Sequence, residues 1–387
     1  MSFRDAYGIM AKIKDSLVLR MKKILYLMQI DWYWIKQRPQ IIAELLSEKY
    51  DVTVLYYKEV FAKQSLRKDK DELKKCIPVP AVPFRDKNIW AYRIQKRLFR
   101  KNLKKIQEYD TVWITHPLLY RYIPENYQGQ IIYDCMDNHE ALCKDARIRK
   151  RIRTEEKKLI ERSDQIFASS TGLMKKISRA GGEEKAHLIR NGFMLREIHA
   201  PQPRTGAQKK KYKIGYFGTI AEWFDFPLLL RSLEKHPELE YHLWGPISNR
   251  KPPEHPRLIL EGVAEHRCLW EKVKDMDGLI MPFVMNDMIR DVDPVKLYEY
   301  ISMGKAILSV YYKEVEKFRE FVYFYNTQEE FDKAIEALEE NHFLPGYDED
   351  RQKDFLRKNT WKNRVSKIEN ELKDGKEKQD HSCGMNL

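Results

Sequence analysis

The stretch that most restricts the fold is Asp291 to Ile307. It follows an apolar, strand-like run, Gly278 to Val284, and leads into a second one, Ala306 to Tyr312. Between the two runs, Pro294 suits the first turn of a helix and Gly304 its end. Proline lacks an N–H that would be unpaired there, and glycine accepts the left-handed exit. A short helix between two buried strands is a parallel strand–helix–strand unit, so the chain is expected to be α/β. An anion at the start of this helix would meet free backbone N–H groups and the positive end of the dipole, with Asp291, Lys296 and Glu299 around it.

The same alternation runs through the rest of the chain. Strands are expected at Lys23 to Gln29, Val52 to Tyr57, Thr111 to Thr115, Gln130 to Asp134 and Gln165 to Ser169, and again at Lys213 to Ile220, Tyr241 to Trp244 and Leu258 to Leu260. Helical segments fall between them, including a charged one at Ala141 to Arg162. Residues 58 to 83, with Pro78, Pro80 and Pro83, read as irregular. The boundaries that follow are an extension at 1–20, a Rossmann-like domain at 21–200, a linker at 201–211, a second Rossmann-like domain at 212–345, a C-terminal helix at 346–372 and a loose tail at 373–387. Two such domains are expected to face a cleft.

Charge and cysteine content limit the function classes. The chain of 387 residues has 71 Lys and Arg against 58 Asp and Glu, a net charge of +13, so an anionic partner is expected. Five scattered cysteines without a CxxC pair argue against disulfides or structural zinc and for a reducing compartment. No apolar run reaches the ~18 to 20 residues that span a bilayer, and no signal-peptide core is present. A cytoplasmic protein is expected. Residues 1 to 20 read as an interfacial helix or a frayed extension.

Between Arg85 and Lys105 nine cations face one acid, Asp86, with Trp90, Tyr92 and Phe99 interleaved. Arg93, Lys96, Arg97, Arg100 and Lys101 make this a candidate membrane-facing helix at the inner face of the cell membrane. A solvated basic face is the plain alternative. No nucleic-acid-binding motif accompanies the charge, and no nucleic-acid partner is expected.

Candidate site residues cluster after strands, where open α/β sheets keep their sites. After the first strand there is no GxGxxG; Trp34, Lys36 and Arg38 offer an aromatic face for a sugar or base and cations for phosphate, or else the aromatics plug the sheet end. After Gln130 to Asp134, the residues Asp134, Asp137 and His139 are candidate general bases, although Asp and Asn there also serve as turn formers and caps. Asp291-Val292-Asp293 spells a DxD, a metal-binding pattern in other transferases, but three letters carry little weight in so charged a chain. No metal is expected.

Taken in order, Trp34-Ile35-Lys36-Gln37-Arg38-Pro39-Gln40, Tyr133-Asp134-Cys135-Met136-Asp137, Phe167-Ala168-Ser169-Ser170, Arg190-Asn191-Gly192, Gly215 to Ile220, Pro282-Phe283 and Asp293 to Tyr300 resemble a known family. The chain resembles bacterial GT-B glycosyltransferases of the large retaining group, and most closely the branch containing the teichuronic acid biosynthesis glycosyltransferases. The resemblance covers roughly residues 22 to 370. It implies a GT-B fold whose C-terminal helix returns to the first domain. It also implies sugar transfer from a nucleotide donor, with UDP the first expectation, to a hydroxyl of a lipid-linked or polysaccharide acceptor. The nucleotide sugar is then a substrate, and no cofactor is expected.

Residue by residue, the resemblance makes Glu299 the second glutamate of an E-x7-E motif, the one that binds donor ribose. Asp291 stands at the motif's first position, facing the transferred sugar, as aspartate in place of glutamate. Lys296, Leu297, Gly218, Thr219 and Arg190 complete the expected donor set. The turn Gly218-Thr219-Ile220-Ala221-Glu222-Trp223 lacks the Arg and Lys with which many members clamp the diphosphate. Asp137 is the expected base, or a positioning group for the acceptor if the leaving phosphate takes the proton. Two other readings fit the same pattern: a non-catalytic coat or scaffold protein that kept the fold, and a sugar-nucleotide epimerase.

Overall fold

A computed structural model describes residues 21–59, 73, 75–194, 198–201, 211–248, 251–264 and 268–383, with side chains to 372. The expected extension at 1–20 and nearly all of the linker at 201–211 lie outside the described residues. Two compact units are present: residues 1–134 with 145–166, and residues 135–144 with 167–387. The segment 135–144 therefore groups with the later part of the chain, which domain boundaries drawn along the sequence do not anticipate.

The first seven strands are β1 (Lys23–Met28), β2 (Asp51–Glu59), β3 (Cys76–Ala81), β4 (Thr111–Ile114), β5 (Gln130–Cys135), β6 (Gln165–Ala168) and β7 (Ala186–Leu188). They form one sheet in the order β3-β2-β1-β4-β5-β6-β7. Helices α1 (Arg38–Leu46), α2 (Ile89–Asn102), α3 (His139–Leu142), α4 (Ala146–Arg162) and α5 (Thr171–Arg179) lie between them. Strand β3 corrects the irregular reading of 58 to 83. It pairs in parallel with β2 from Cys76 to Ala81, and its prolines are tolerated because β3 is the sheet edge, where one side needs no N–H donors. The expected helix from Ala141 to Arg162 is interrupted at Cys143 to Asp145, where Asp145 caps α4 by accepting from the N–H groups of Arg147 and Ile148.

The later strands are β8 (Tyr212–Phe217), β9 (Leu239–Trp244), β10 (Leu258–Gly262), β11 (Gly278–Met281), β12 (Ala306–Val310) and β13 (Tyr323–Tyr325). Every neighbouring pair is parallel, in the order β10-β9-β8-β11-β12-β13. This is the 3-2-1-4-5-6 order of a doubly wound nucleotide-binding sheet, with its switch point between β8 and β11. The helices are α6 (Phe226–Lys235), α7 (Leu269–Val273), α8 (Val295–Ser302), α9 (Gln328–Glu340), α10 (Glu349–Lys358) and α11 (Trp361–Cys383).

The strand–helix–strand unit read from the sequence is β11, α8 and β12. Pro294 is the cap rather than the first helical residue, and Gly304 ends the helix at φ 60°. Leu297, Tyr298, Tyr300 and Ile301 bury the inner face of α8 completely. At about 1.5–3 kcal/mol for each large apolar side chain removed from water, this face holds the helix on its sheet.

Helix α11 returns to residues 187–193. The Trp361 N–H donates to the Phe193 carbonyl at 3.1 Å, Arg364 Nε donates to the Asn191 carbonyl at 3.0 Å, and Trp361 is buried. The helix continues to Cys383, through most of the stretch read as a loose tail.

Candidate functional site

The loop after β8 is built on glycine. Gly218 has φ 137°, a conformation that side chains rarely adopt, and a Cβ there would lie 2.1 Å from Cε of Lys296 and 2.7 Å from its Nζ. The missing side chain leaves the space that the Lys296 stem occupies. The turn is fixed by the Tyr216 hydroxyl, which donates to the Thr219 carbonyl at 2.8 Å, and by the Gly218 N–H, which donates to Trp244 at 2.8 Å.

Lys296 stands in the first turn of α8, with its ammonium 6.0 Å from the centre of the Tyr216 ring. Burial pulls its pKa below the usual lysine value, and the charge of Glu299 partly restores it. Among the described residues Lys296 makes no hydrogen bond and no ion pair. A half-buried cation thus stands at the switch point of a doubly wound sheet, where open α/β folds keep their ligand sites. Glu299 is half-buried on the same helix, three residues on.

Leu297 is corrected as a ligand contact. Its side chain is fully buried in the core, and its N–H donates to the Pro294 carbonyl at 3.2 Å.

Beneath α8 lies a network that the sequence did not indicate. Asp293, 2% exposed, accepts from Lys317 Nζ and the Asn191 N–H, both at 2.7 Å, while Asn191 Nδ2 donates to the Asp293 carbonyl at 2.8 Å. Burial pushes the Asp293 carboxyl above its usual range, with Lys317 and the Asn191 N–H opposing. Glu314, equally buried, accepts from Arg190 Nε at 2.8 Å and from the Thr171 N–H and Oγ1 at 2.8 and 2.5 Å. Burial raises Glu314, but the Thr171 hydroxyl, Lys317 and Arg190 together hold it below the usual glutamate value. The Nε edge of Arg190 is thus committed to Glu314.

Asp291 faces the start of α5. A Cβ on Gly172 would fall 2.0 Å from its Oδ1, and its Oδ2 accepts from Asn138 Nδ2 at 3.2 Å. The two carboxylates of the DxD letters therefore have separate partners. Asp293 is sealed between Asn191 and Lys317, and Asp291 is held by Asn138 and lies over α5.

Asn138 also caps α3, accepting from the Ala141 N–H, and Lys176 Nζ reaches its side-chain oxygen at 3.4 Å. Further along the same segment, Lys144 pairs with Glu222 of the turn after β8. Segment 135–144 is thereby tied both to Asp291 and to the β8 turn. Asp137 is half-buried, its carbonyl accepting from the N–H of His139, and His139 is buried in the first turn of α3.

In the other unit Arg38 and Asp134 neutralise one another, which corrects both as separate site groups. Asp134 Oδ1 lies 2.9 Å from Arg38 Nε and 2.8 Å from Nη2, and both side chains are buried beside Tyr26 and Trp113. Lys36 pairs with Glu44 of α1. Of the two tryptophans after β1, Trp32 is fully buried and plugs the sheet end, while Trp34 is 42% exposed. On α2 the side chains of Arg93, Lys96, Arg97, Arg100 and Lys101 are all exposed.

The fold is that of GT-B glycosyltransferases, two parallel α/β sheets. A structure of Anabaena HepE solved with UDP and glucose matches over 91% of this chain and 100% of its own, with a TM-score of 0.65 and 14% identity. The lipopolysaccharide outer core galactosyltransferase WaaB matches over 91% and 99%, with a TM-score of 0.63 and 15% identity. Among curated proteins the chain is similar to TuaH of Bacillus subtilis (strain 168), itself assigned only provisionally as a teichuronic acid biosynthesis glycosyltransferase. The identity is 27% over 217 residues, which is 51% of this chain and 54% of TuaH. The chain thus matches about half the length of that relative. No protein-family model matches.

Proposed function

We propose that the protein is a glycosyltransferase that moves a sugar, with retention, from a UDP-linked donor to a hydroxyl of a lipid-linked or polysaccharide acceptor in cell-envelope polysaccharide synthesis. The observation that carries this reading is Lys296, half-buried, without a hydrogen-bond or ion-pair partner among the described residues, and packed on Gly218 at the end of β8. HepE, solved with UDP and glucose, supports the donor, and TuaH supports the envelope role. In this reading Glu299 accepts from the two ribose hydroxyls, while Lys296 and the start of α8 stabilise charge on the leaving diphosphate. Asp137 positions the acceptor hydroxyl or takes its proton.

Titration with UDP by calorimetry, followed by release of UDP from UDP-sugars with and without acceptor, tests the reading. Binding that is lost in Glu299→Ala is expected. A protein that binds no nucleotide favours the second reading, a non-catalytic relative, for which the turn Gly218 to Trp223 without Arg or Lys is the specific support.

The acceptor side implies a membrane partner. Phe84, Ile89, Trp90 and Ile94 are 73, 58, 67 and 55% exposed, at and just before the start of α2, and the exposed cations of α2 lie beside and behind them. Asp86, the one acid of the stretch, is held by Arg121 at 2.5 Å and does not offset these charges. An apolar tip with a cationic collar suits an anionic leaflet, at about 1 kcal/mol per cation near the surface. Co-sedimentation with phosphatidylglycerol vesicles, reduced by Trp90→Ser with Ile94→Ser and absent with phosphatidylcholine, is expected. Equal sedimentation of the variant refutes insertion of this tip.

A further inference from the structure

A second polar cluster lies away from the switch point, where α6 turns into β9. His236 ends α6, Glu238 precedes β9, and Glu339 stands in the last turn of α9. His236 is 95% buried, being 5% exposed, and its Nε2 has no hydrogen-bond partner among the described residues. Its Nδ1 points between two carboxylates, 3.7 Å from Glu238 Oε1 and 3.6 Å from Glu339 Oε1, and its Nε2 lies 3.9 Å from Asp332. Glu339 Oε1 is also buried, and burial together with the facing Glu238 carboxylate pushes the Glu339 carboxyl up to about 8. The imidazole Nδ1 thus faces two carboxylates just beyond bonding distance, a spacing that a shared cation would close.

The neighbouring cations do not fill the gap. Lys235 is paired with Glu336 at 2.9 Å and Asp332 at 3.4 Å. The guanidinium of Arg257 donates to the carbonyls of Leu233, His236 and Leu239 at the end of α6. One ring nitrogen and two carboxylate oxygens, all within 4.8 Å of one another, remain around an unfilled centre. A tetrahedral zinc ion with ligands at 2.0–2.2 Å holds them about 3.3 Å apart, so the two imidazole–carboxylate distances already lie within a few tenths of an ångström of that spacing.

We propose that His236, Glu238 and Glu339 form a site for a divalent transition metal, zinc first, that clips the α6–β9 turn to the end of α9. One imidazole and two carboxylates, with a fourth position left to water, suit zinc, whereas magnesium prefers an all-oxygen octahedron. The role assigned is structural: the cluster ties the end of α6 to the end of α9. The proposal is independent of the sugar-transfer reading and stands or falls separately.

The test uses the full chain, stripped with chelator and titrated with zinc chloride and, in parallel, magnesium chloride by calorimetry. Glu339→Gln keeps the shape, and its amide can donate to Glu238, so this variant folds. Wild type is expected to take up one more equivalent of zinc than Glu339→Gln or His236→Gln, or to bind that equivalent at least tenfold tighter. Zinc, but not magnesium, is expected to raise the melting temperature of wild type and to leave that of Glu339→Gln unchanged. Zinc held by cysteines is common to all the chains and cancels. Equal stoichiometry and equal thermal response in wild type and Glu339→Gln overturn the proposal, leaving a proton on Glu339, shared with Glu238, as the link between the carboxylates. If His236→Gln fails to fold, the comparison with Glu339→Gln decides alone.

Discussion

Replacing Lys296 by methionine is expected to weaken nucleotide binding and, at the same time, to stabilise the free protein. The two effects have separate physical origins. Methionine retains the apolar stem packed on Gly218 and the Tyr216 ring, so little packing is lost. What disappears is a cation that burial already disfavours, as its lowered pKa shows, with only Glu299 offsetting the penalty. The sign follows from linkage. A lysine whose folded pKa lies below its unfolded value binds its proton less readily when folded, so at neutral pH the charged form opposes folding. Its removal raises the melting temperature.

On the binding side, a hydrogen bond from a charged donor contributes about 1.5–3 kcal/mol, which corresponds to roughly a ten- to 150-fold rise in Kd for UDP. Because Lys296 has no hydrogen-bond or ion-pair partner among the described residues, its loss leaves no orphaned group in the free protein. The binding change therefore reports the phosphate contact itself. Calorimetry with UDP and scanning calorimetry without ligand read the two quantities on the same samples. An unchanged Kd, or a melting temperature that falls with methionine, would show that the ammonium serves the fold and refute the reasoning.

The remaining predictions separate groups that hold the fold from groups that wait for ligand. Arg38→Met leaves the fully buried Asp134 charge unpaired and should lower the free energy of unfolding in urea by about 3–5 kcal/mol, with much of it recovered in Arg38→Met/Asp134→Leu; a loss below 1 kcal/mol contradicts the burial of the pair. Glu314 is held below its unfolded pKa, so the stability it confers is present above about pH 4.5 and is lost as pH falls through its folded value. Thr171→Val removes one of its hydrogen bonds and should move the acid-unfolding midpoint upward; an unmoved midpoint counts against that contact. Arg190→Met should destabilise the fold through Glu314 while changing the UDP Kd less than threefold; a tenfold weaker Kd with stability intact returns Arg190 to the diphosphate.

The alternation of strands and helices was legible because buried parallel strands are short apolar runs and the helices between them carry their own stop signals, such as Gly304. The expected return of the C-terminal helix takes Trp361 to Phe193, which belongs to the same compact unit as Trp361. Strand β3 was not legible, since a proline-rich sequence reads as loop until its place at the sheet edge is known. Partners were not legible either. Arg38 and Asp134 are 96 positions apart, and each alone looks like a ligand group. Glu314 and Lys317 carry no motif, and only the fold places them under Asn191 and Asp293. Nor does a net charge of +13 reveal which acids are already matched, as Asp86 is by Arg121.

The stretch from Asp291 to Glu299 shows how one motif divides its labour. Asp291 and Asp293, two residues apart, turn to different partners: one to Asn138 and the start of α5, the other to Asn191 and Lys317. Both carboxylates therefore brace the approach to α8. Once they are committed, the charged side chains that α8 offers around the turn after β8 are Lys296 and Glu299, one cation and one anion three residues apart. A nucleoside diphosphate requires that pairing, a donor for phosphate beside an acceptor for ribose hydroxyls, and neither side chain can replace the other. Asp137 enters the same arrangement through its chain neighbour, because Asn138 fixes the segment to Asp291. The turn after β8 carries no Arg or Lys, and the cation beside it is Lys296 of α8, for whose side chain Gly218 leaves room.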